Sequence, residues 1–175
     1  TFPIENILPL LEKGHLHYGE NKVQEALDKW SNIKPKYNKV KLHLIGKLQT
    51  NKVKFALKIF DYIHSLDSEK LATKISQEQI KHEKKPKIFI QVNIGNEDQK
   101  SGIFKERLVD FYNFCKDLNL DIIGTMCIPP NDDNTGNYFS EMNKINQELK
   151  FNELSMGMSG DYLEAIKNNA TYVRV

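Results

Sequence analysis

The clearest β-strand in the chain is Lys87-Ile88-Phe89-Ile90-Gln91-Val92-Asn93-Ile94, a stretch rich in β-branched residues. Its apolar side chains fall in both alternating sets, with Ile88, Ile90 and Val92 in one and Phe89 in the other. A strand that is apolar on both faces is covered on both faces, as in the parallel sheets of α/β proteins. The stretch therefore predicts a buried parallel strand.

A helix and a second strand follow this stretch in the order of a βαβ unit. Apolar residues recur at helical spacing along the next segment, at Leu108, Phe111, Tyr112, Cys115 and Leu118. Residues 120–128 then form another apolar strand, which ends at Pro129 and Pro130. The region 87–128 thus predicts two parallel strands joined by a helix.

The same alternation extends over the whole chain. Strands are predicted at residues 15–19, 40–45, 62–66, 87–94, 120–128, 154–158 and 171–175, with a helix before each. Asn21 and Ser68 are predicted to cap two of these helices. One further strand before these seven would give eight parallel strands, the number that closes a barrel. We therefore predict an α/β fold, a (β/α)8 TIM-type barrel lacking its first strand and its C-terminal end.

One other architecture fits the alternation, an open doubly wound sheet. That fold usually carries a G-x-G-x-x-G turn after its first strand, and the sequence has none. No low-complexity linker or block of charge divides the chain. Residues 1–175 are therefore predicted to form a single barrel domain, incomplete at both ends.

Composition excludes several classes of function. Hydrophobic residues make up 39% and charged residues 27% of the 175, which is typical of a soluble globular protein. A net charge of +2 is too small to indicate a nucleic-acid partner. No segment has the roughly 20 apolar residues of a membrane helix, and none is typical of a signal peptide. Cys115 and Cys127 fit buried hydrophobic positions, so we expect a cytoplasmic protein.

The most informative turn for function is residues 154–161, which lead from a predicted strand into a predicted helix. Backbone N–H groups at a helix start favour an anion, and Ser159 with Gly160 would let a phosphate approach closely. Arg174 ends the next strand, where its guanidinium needs an anion or another acceptor. Simpler interpretations are a plain helix cap by Asp161 and an ion pair at Arg174.

A rival interpretation rests on His15 and His17, an H-x-H pair that would face one way along a strand. Barrel hydrolases bind metals through such pairs. Further ligands would be needed, and His43 and His64 are available. The last strand, however, offers Arg174 and no carboxylate. A metal-dependent hydrolase is therefore the weaker hypothesis.

Several stretches, in order and covering nearly the whole chain, resemble the pyridoxal phosphate homeostasis proteins, which are related to the barrel domain of alanine racemase. They are His17-Tyr18-Gly19-Glu20-Asn21-Lys22-Val23-Gln24-Glu25, residues 43–52 (HLIGKLQTNK), His64-Ser65-Leu66-Asp67-Ser68, Gln91-Val92-Asn93 with Glu97, Lys100 and Gly102, residues 124–129 (GTMCIP), residues 154–159 with Asp161, and Val173-Arg174-Val175. Agreement over so many ordered stretches is more specific than any one motif.

The resemblance implies a protein that binds pyridoxal 5′-phosphate and manages its supply without an established reaction of its own. By the same resemblance, Ser159 would hold the phosphate and Arg174 would face the pyridine nitrogen. Asn21 would line the ring pocket, with Met158 and Ser155 flanking it. Apo-enzymes that receive the cofactor are the implied partners, and we expect a monomer.

The sequence departs from the family pattern in four places. Leu42 and Leu44 stand where aromatic residues are usual, which changes packing only. The family's Schiff-base lysine would come just before Thr1, and a Gly-Thr pair of the phosphate cradle would follow Val175. We expect the full protein to carry both. A racemase-like enzyme on the same barrel is the alternative, although it needs a second base from a partner domain.

Overall fold

The computed structural model describes residues 2–175, within which seven strands alternate with seven α-helices. The strands are β1 (His17–Glu20), β2 (Lys41–Leu44), β3 (Tyr62–Leu66), β4 (Lys87–Val92), β5 (Asp121–Cys127), β6 (Glu153–Met158) and β7 (Tyr172–Arg174). The helices are α1 (Ile4–Glu12), α2 (Val23–Trp30), α3 (Val53–Ile59), α4 (Glu69–His82), α5 (Leu108–Asp117), α6 (Thr135–Glu148) and α7 (Tyr162–Lys167). Short 3-10 turns at Lys34–Lys36, Thr50–Lys52 and Lys105–Arg107 were not predicted.

The strands form one parallel sheet in sequential order, β1 to β7. Its two edges curl towards each other, since the rings of His17 on β1 and Tyr172 on β7 lie 6.1 Å apart between centroids. Each crossover passes through a helix, as parallel neighbours require. The predicted TIM-type barrel is confirmed, and the part described here is nearly closed.

The main core lies between the strands and the surrounding helices. Its largest fully buried side chains include Trp30, Phe60 and Phe139, from three different helical segments, packed with Leu42 and Leu44 of β2. Burying a side chain of this kind contributes about 1.5–3 kcal/mol. Cys115 and Cys127 are free and buried in this layer, as expected.

A second, smaller apolar cluster fills the barrel interior. Tyr62, Phe89 and Met126 form it, with Ile123 and Tyr172 packed against them. These residues come from β3, β4, β5 and β7, whose inward side chains meet on the barrel axis. The interior below the strand ends is therefore packed with side chains, as in other barrels of this type.

One predicted helix cap is confirmed and one is wrong. The Ser68 Oγ accepts a hydrogen bond from the Leu71 N–H at 3.4 Å and caps α4. Asn21 does not cap α2, because the N-cap is Lys22 and no side chain bonds the first turn. The backbone of Asn21 instead packs closely against Gly46. A Cβ added to Gly46 would lie 2.2 Å from the Asn21 backbone oxygen.

The helices are all short. Within residues 2–175 none is both long enough and apolar enough to span a membrane.

Candidate ligand site at the barrel mouth

The ends of β6 and β7 place two of the predicted site residues side by side. Met158 pairs with Arg174 in the parallel ladder, after a shift of register that follows Ser155. Ser159 is the next residue along from Met158, at the start of the turn into α7. The turn and the arginine therefore lie at the same end of adjacent strands.

Arg174 has hydrogen-bonding capacity to spare. Its Nη2 donates to the Cys127 carbonyl oxygen at 2.9 Å, which takes the guanidinium across β6 to the end of β5. Its Nε and Nη1 are buried and have no hydrogen-bond partner among residues 2–175. Burial lowers the pKa of this guanidinium, yet arginine remains charged at neutral pH. Two buried charged donors without acceptors are costly, so the site suits an acceptor from a ligand.

The end of β6 packs tightly against α7 just before the turn. Gly157 has φ +91°, and a Cβ there would lie 2.6 Å from the Ala165 Cβ of α7. The Asp161 Oδ1 accepts from the Met158 N–H at 2.5 Å and makes no bond to the first turn of α7. Asp161 therefore occupies the N-cap position of α7, as one interpretation had it, but its side chain does not cap the helix. Ser159 and Gly160 stay exposed, with open space around Gly160.

Ser155 and Asn21 lie further from this turn. Ser155 is completely buried, and its Oγ lies 2.8 Å from Nδ1 of His64 inside the barrel. Asn21 is exposed after β1, at the other edge of the sheet. It shares a cavity of about 320 Å³ with Val175, the residue after Arg174. The structure thus gathers Met158, Ser159 and Arg174 closely, places Ser155 beneath them, and leaves Asn21 across the gap between the sheet edges.

The H-x-H pair is not a chelating pair. His15 precedes β1, and its Nε2 lies 2.8 Å from the backbone oxygen of His17. His17 instead turns its Nδ1 towards Nε2 of His43 at 2.9 Å. Residues 2–175 contain no group of three or more His, Cys, Asp or Glu side chains arranged to hold a metal ion. The predicted geometry of His15 and His17 on one strand face is therefore wrong.

A line of histidines through the interior was missed by the sequence analysis. Nδ1 of His43 lies 2.9 Å from Nε2 of His64, so three rings and the Ser155 hydroxyl are joined in series. Burial lowers the pKa of His43 to about 3 and that of His64 well below its usual value. The available signal was the presence of His43 and His64 inside otherwise apolar strands.

Comparison with known proteins identifies the family. The family model described as "Alanine racemase, N-terminal domain" matches residues 2–175. Among curated relatives, the pyridoxal phosphate homeostasis protein of Aquifex aeolicus is 37% identical over 185 residues. That of Pasteurella multocida is 36% identical over 187 residues. Both alignments cover 100% of this chain and 80% of the relative.

Solved structures agree with this result. PipY of Synechococcus elongatus, described as having PLP bound, superposes with a TM-score of 0.92 at 32% identity, over 100% of this chain and 86% of PipY. An alanine racemase of Clostridium difficile superposes with a TM-score of 0.72 at 14% identity, over 97% of this chain and 46% of the enzyme. The second likeness concerns the fold alone. The chain belongs to the pyridoxal phosphate homeostasis protein family, whose barrel is that of the alanine racemase N-terminal domain.

Proposed function

We propose that this protein binds pyridoxal 5′-phosphate at its barrel mouth and serves cofactor homeostasis as a carrier or buffer, without turnover of its own. The relatives' name and the PLP-bound state of PipY support the choice of ligand. The physical support comes from this chain, because residues at the ends of β6 and β7 lack the partners that such a ligand provides.

The proposal rests on one observation, the unpartnered donors of the Arg174 guanidinium. Its Nε and Nη1 are buried without partners within residues 2–175, while Nη2 is fixed by the Cys127 carbonyl. A pyridine nitrogen is a neutral acceptor that satisfies one such donor. A guanidinium opposite that nitrogen keeps it unprotonated, which weakens the ring as an electron sink. This arrangement suits storage of the cofactor better than carbanion chemistry.

The remaining site residues have roles that follow from their positions. Ser159 and the exposed backbone around Gly160 would hold the phosphate, because the turn leads into a helix start and has open space. Met158 would contact the ring beside Arg174, its partner in the ladder. Asn21 would close the pocket from the β1 side, and Ser155 would approach from below.

Titration of the purified protein with pyridoxal 5′-phosphate, followed by absorbance and fluorescence, tests the proposal. We expect saturable binding that Arg174→Gln weakens about 10- to 100-fold, because it removes a charge-assisted hydrogen bond. Arg107→Gln is the matched control, since Arg107 is the other arginine and pairs with Glu69 on the surface. It should change affinity by less than twofold. No saturable binding, or equal affinity in Arg174→Gln, would refute the proposal.

A racemisation assay separates a carrier from an enzyme on the same barrel. The protein saturated with cofactor should convert neither enantiomer of alanine into the other above the rate of free cofactor. Sustained racemisation would show that the protein is a racemase and not a carrier.

The finer points of the proposal concern partners and state. We expect apo-enzymes that use the cofactor to be its recipients, in the cytoplasm, and the protein to be a monomer. Sedimentation at micromolar concentration checks the last point, and a dimer would contradict it. Transfer of bound cofactor to an apo-enzyme faster than its spontaneous release would support direct delivery.

A further inference from the structure

Two short stretches of the chain are rich in lysine. Residues 34–41 (KPKYNKVK) and residues 81–87 (KHEKKPK) together contain eight lysines and one carboxylate, that of Glu83. These are eight of the 25 lysines and arginines in a chain whose net charge is only +2. The first stretch leads into β2 and the second into β4. Because the sheet is parallel, both stretches arrive at the same end of the barrel.

A cavity of about 260 Å³ lies between these stretches, at the amino ends of β2, β3 and β4. All three strands have both of their neighbours in the sheet. The buried ring of Tyr62 contributes to the lining. Charged side chains supply most of the rest, one carboxylate from Asp61 and the ammonium groups of Lys41, Lys84, Lys85 and Lys87. We call this space the lysine cavity.

The carboxylate of the lysine cavity is already engaged by another cation. Oδ2 of Asp61 accepts a hydrogen bond from Nζ of Lys34 at 2.6 Å and another from the Leu42 N–H at 2.9 Å. The same Nζ also donates to the Ile59 carbonyl oxygen at 2.5 Å. Asp61 therefore neutralises Lys34 and leaves the charge of the lining lysines uncompensated.

Three of the four lining lysines have ammonium groups without a partner. Lys85 donates to Oδ1 of Asn119 at 2.9 Å. Within residues 2–175, the ammonium groups of Lys41, Lys84 and Lys87 make no ion pair and no hydrogen bond. The charge of Lys87 meets only the face of an aromatic ring, that of Tyr62, at 5.8 Å from the centroid.

Lys84 is the half-buried member of the four. Burial lowers the pKa of its amine, and the positive charges of Lys34 and Lys41 lower it further, while the carboxylate of Asp61 raises it. A partly buried cation that faces more cations than carboxylates is destabilised. An anion placed between these lysines would remove that cost.

The kind of anion follows from the groups that face it. A lysine ammonium is a compact point charge, which binds phosphate oxygens without the planar geometry that a guanidinium imposes. Several such charges around one space favour a ligand with several negative charges. The volume of about 260 Å³ is close to the lower limit of ligand pockets, about 300 Å³, so the ligand is small.

We propose that the lysine cavity binds a di- or triphosphate group, either as a free anion or as the phosphate chain of a nucleotide. Lys41, Lys84 and Lys87 contact the phosphate oxygens. The site is distinct from the one proposed for pyridoxal 5′-phosphate, because Met158 and Arg174 stand at the carboxyl ends of β6 and β7, the opposite end of the barrel.

Titration of the ¹⁵N-labelled full-length protein with inorganic tripolyphosphate, followed by NMR at about 50 mM salt, tests the proposal. We expect saturable shifts of the backbone amides of Asp61, Tyr62 and Lys87, with a Kd below about 1 mM. Raising the salt to about 500 mM should weaken binding at least tenfold, because exposed charges are screened. No saturable shift, or shifts confined to residues 157–161, would overturn the proposal.

The double variant Lys84→Gln/Lys87→Gln removes two unpaired charges without breaking a bond within the described fold. It should raise the Kd for tripolyphosphate at least tenfold. Lys116→Gln/Lys144→Gln is the matched control, since both lysines are exposed and Lys116 also lies over an aromatic ring. The control should change the Kd by less than twofold. Equal weakening in both would show attraction to net charge alone and would overturn the site.

Lys41→Gln, at the exposed start of β2, provides a second variant with a smaller change. It should raise the Kd about three- to fivefold, and an unchanged Kd would exclude Lys41 from the site. Arg174→Gln should leave the tripolyphosphate Kd within twofold of wild type. Failure of the cofactor to bind and failure of tripolyphosphate to bind are therefore separate results.

Adenosine triphosphate in the same titration identifies the source of the phosphate group. A Kd equal to that of tripolyphosphate assigns the phosphate chain alone, and a Kd at least tenfold lower assigns a nucleotide. A peptide of ten glutamates serves as the third ligand. Binding of this peptide more tightly than tripolyphosphate would overturn the phosphate site and indicate a docking surface for an acidic protein.

Discussion

The two packed regions of the molecule, the outer layer and the barrel interior, are built from different kinds of residue. The outer layer is mostly apolar, with Trp30, Phe60 and Phe139 fully buried between strands and helices. The interior mixes a few aromatic rings with the histidine line and, above it, the under-satisfied Arg174. The outer layer contributes stability, whereas the interior keeps polar groups in costly surroundings, which the proposed ligand would use.

The sharpest contrast is expected from deleting a large side chain of the outer layer. Phe60→Ala should lower the free energy of unfolding by about 3–5 kcal/mol, since the site cannot collapse around the lost ring. Ile80→Ala, at a side chain that is 73% exposed on α4, should change it by less than about 0.5 kcal/mol. Urea unfolding at pH 7.5 measures both. Similar losses of unfolding free energy in the two variants would contradict the claim that the outer layer stabilises the fold.

Acid should weaken the molecule through its interior. The unfolded chain protonates His43 below its ordinary pKa of 6.5, but the folded chain does so only near a pKa of about 3. The contribution of His43 to the free energy of unfolding is therefore fully present above pH 6.5. It is lost as the pH falls towards 3, by about 1.4 kcal/mol per pH unit. Between pH 7.5 and 5.0, the free energy of unfolding of His43→Phe should therefore fall by about 2 kcal/mol less than that of wild type.

Urea unfolding at the two pH values measures this difference, with His15→Phe as the exposed control that should keep the wild-type dependence on pH. An identical acid loss in His43→Phe and wild type would mean that His43 is not held neutral in the fold.

A close backbone contact joins the loops after β1 and β2 at Gly46. In Gly46→Ala the new Cβ would lie 2.2 Å from the Asn21 backbone oxygen, so the loop that carries Asn21 must move. We expect the Kd for pyridoxal 5′-phosphate to rise about tenfold, equivalent to about 1.4 kcal/mol. Gly136→Ala in α6, where the nearest atom is 3.4 Å from the added Cβ, should leave affinity unchanged. Unchanged affinity in Gly46→Ala would show that the position of the Asn21 loop does not affect ligand binding.

The sequence was sufficient for the fold because local patterns carry most of it. Two-sided apolar strands such as residues 87–94 and helical stripes such as residues 108–118 placed every strand and helix within a few residues. The errors came where tertiary contacts override local signals. Asn21 looks like an N-cap, but its loop is fixed by contact with Gly46 in the loop after β2.

The site was only partly predictable for the same reason. The neighbourhood of Met158, Ser159 and Arg174 followed from the order of the last two strands. The line from His17 to Ser155 joins residues up to 138 positions apart, since 155 minus 17 is 138, and it exists only after the sheet curls. Spacing along the chain suggested a metal pair at His15 and His17 instead. Donor and acceptor geometry, available only in the folded molecule, distinguishes the two.

The most direct test of the account measures stability and ligand response together in Arg174→Met. Because two donors of Arg174 lack partners, the ligand-free variant should unfold within about 1 kcal/mol of wild type or be more stable. Pyridoxal 5′-phosphate at 100 times its wild-type Kd should stabilise wild type by about 2.7 kcal/mol and the variant by at least 1 kcal/mol less. Equal stabilisation of both proteins would contradict the account, and so would a ligand-free variant destabilised by more than about 3 kcal/mol.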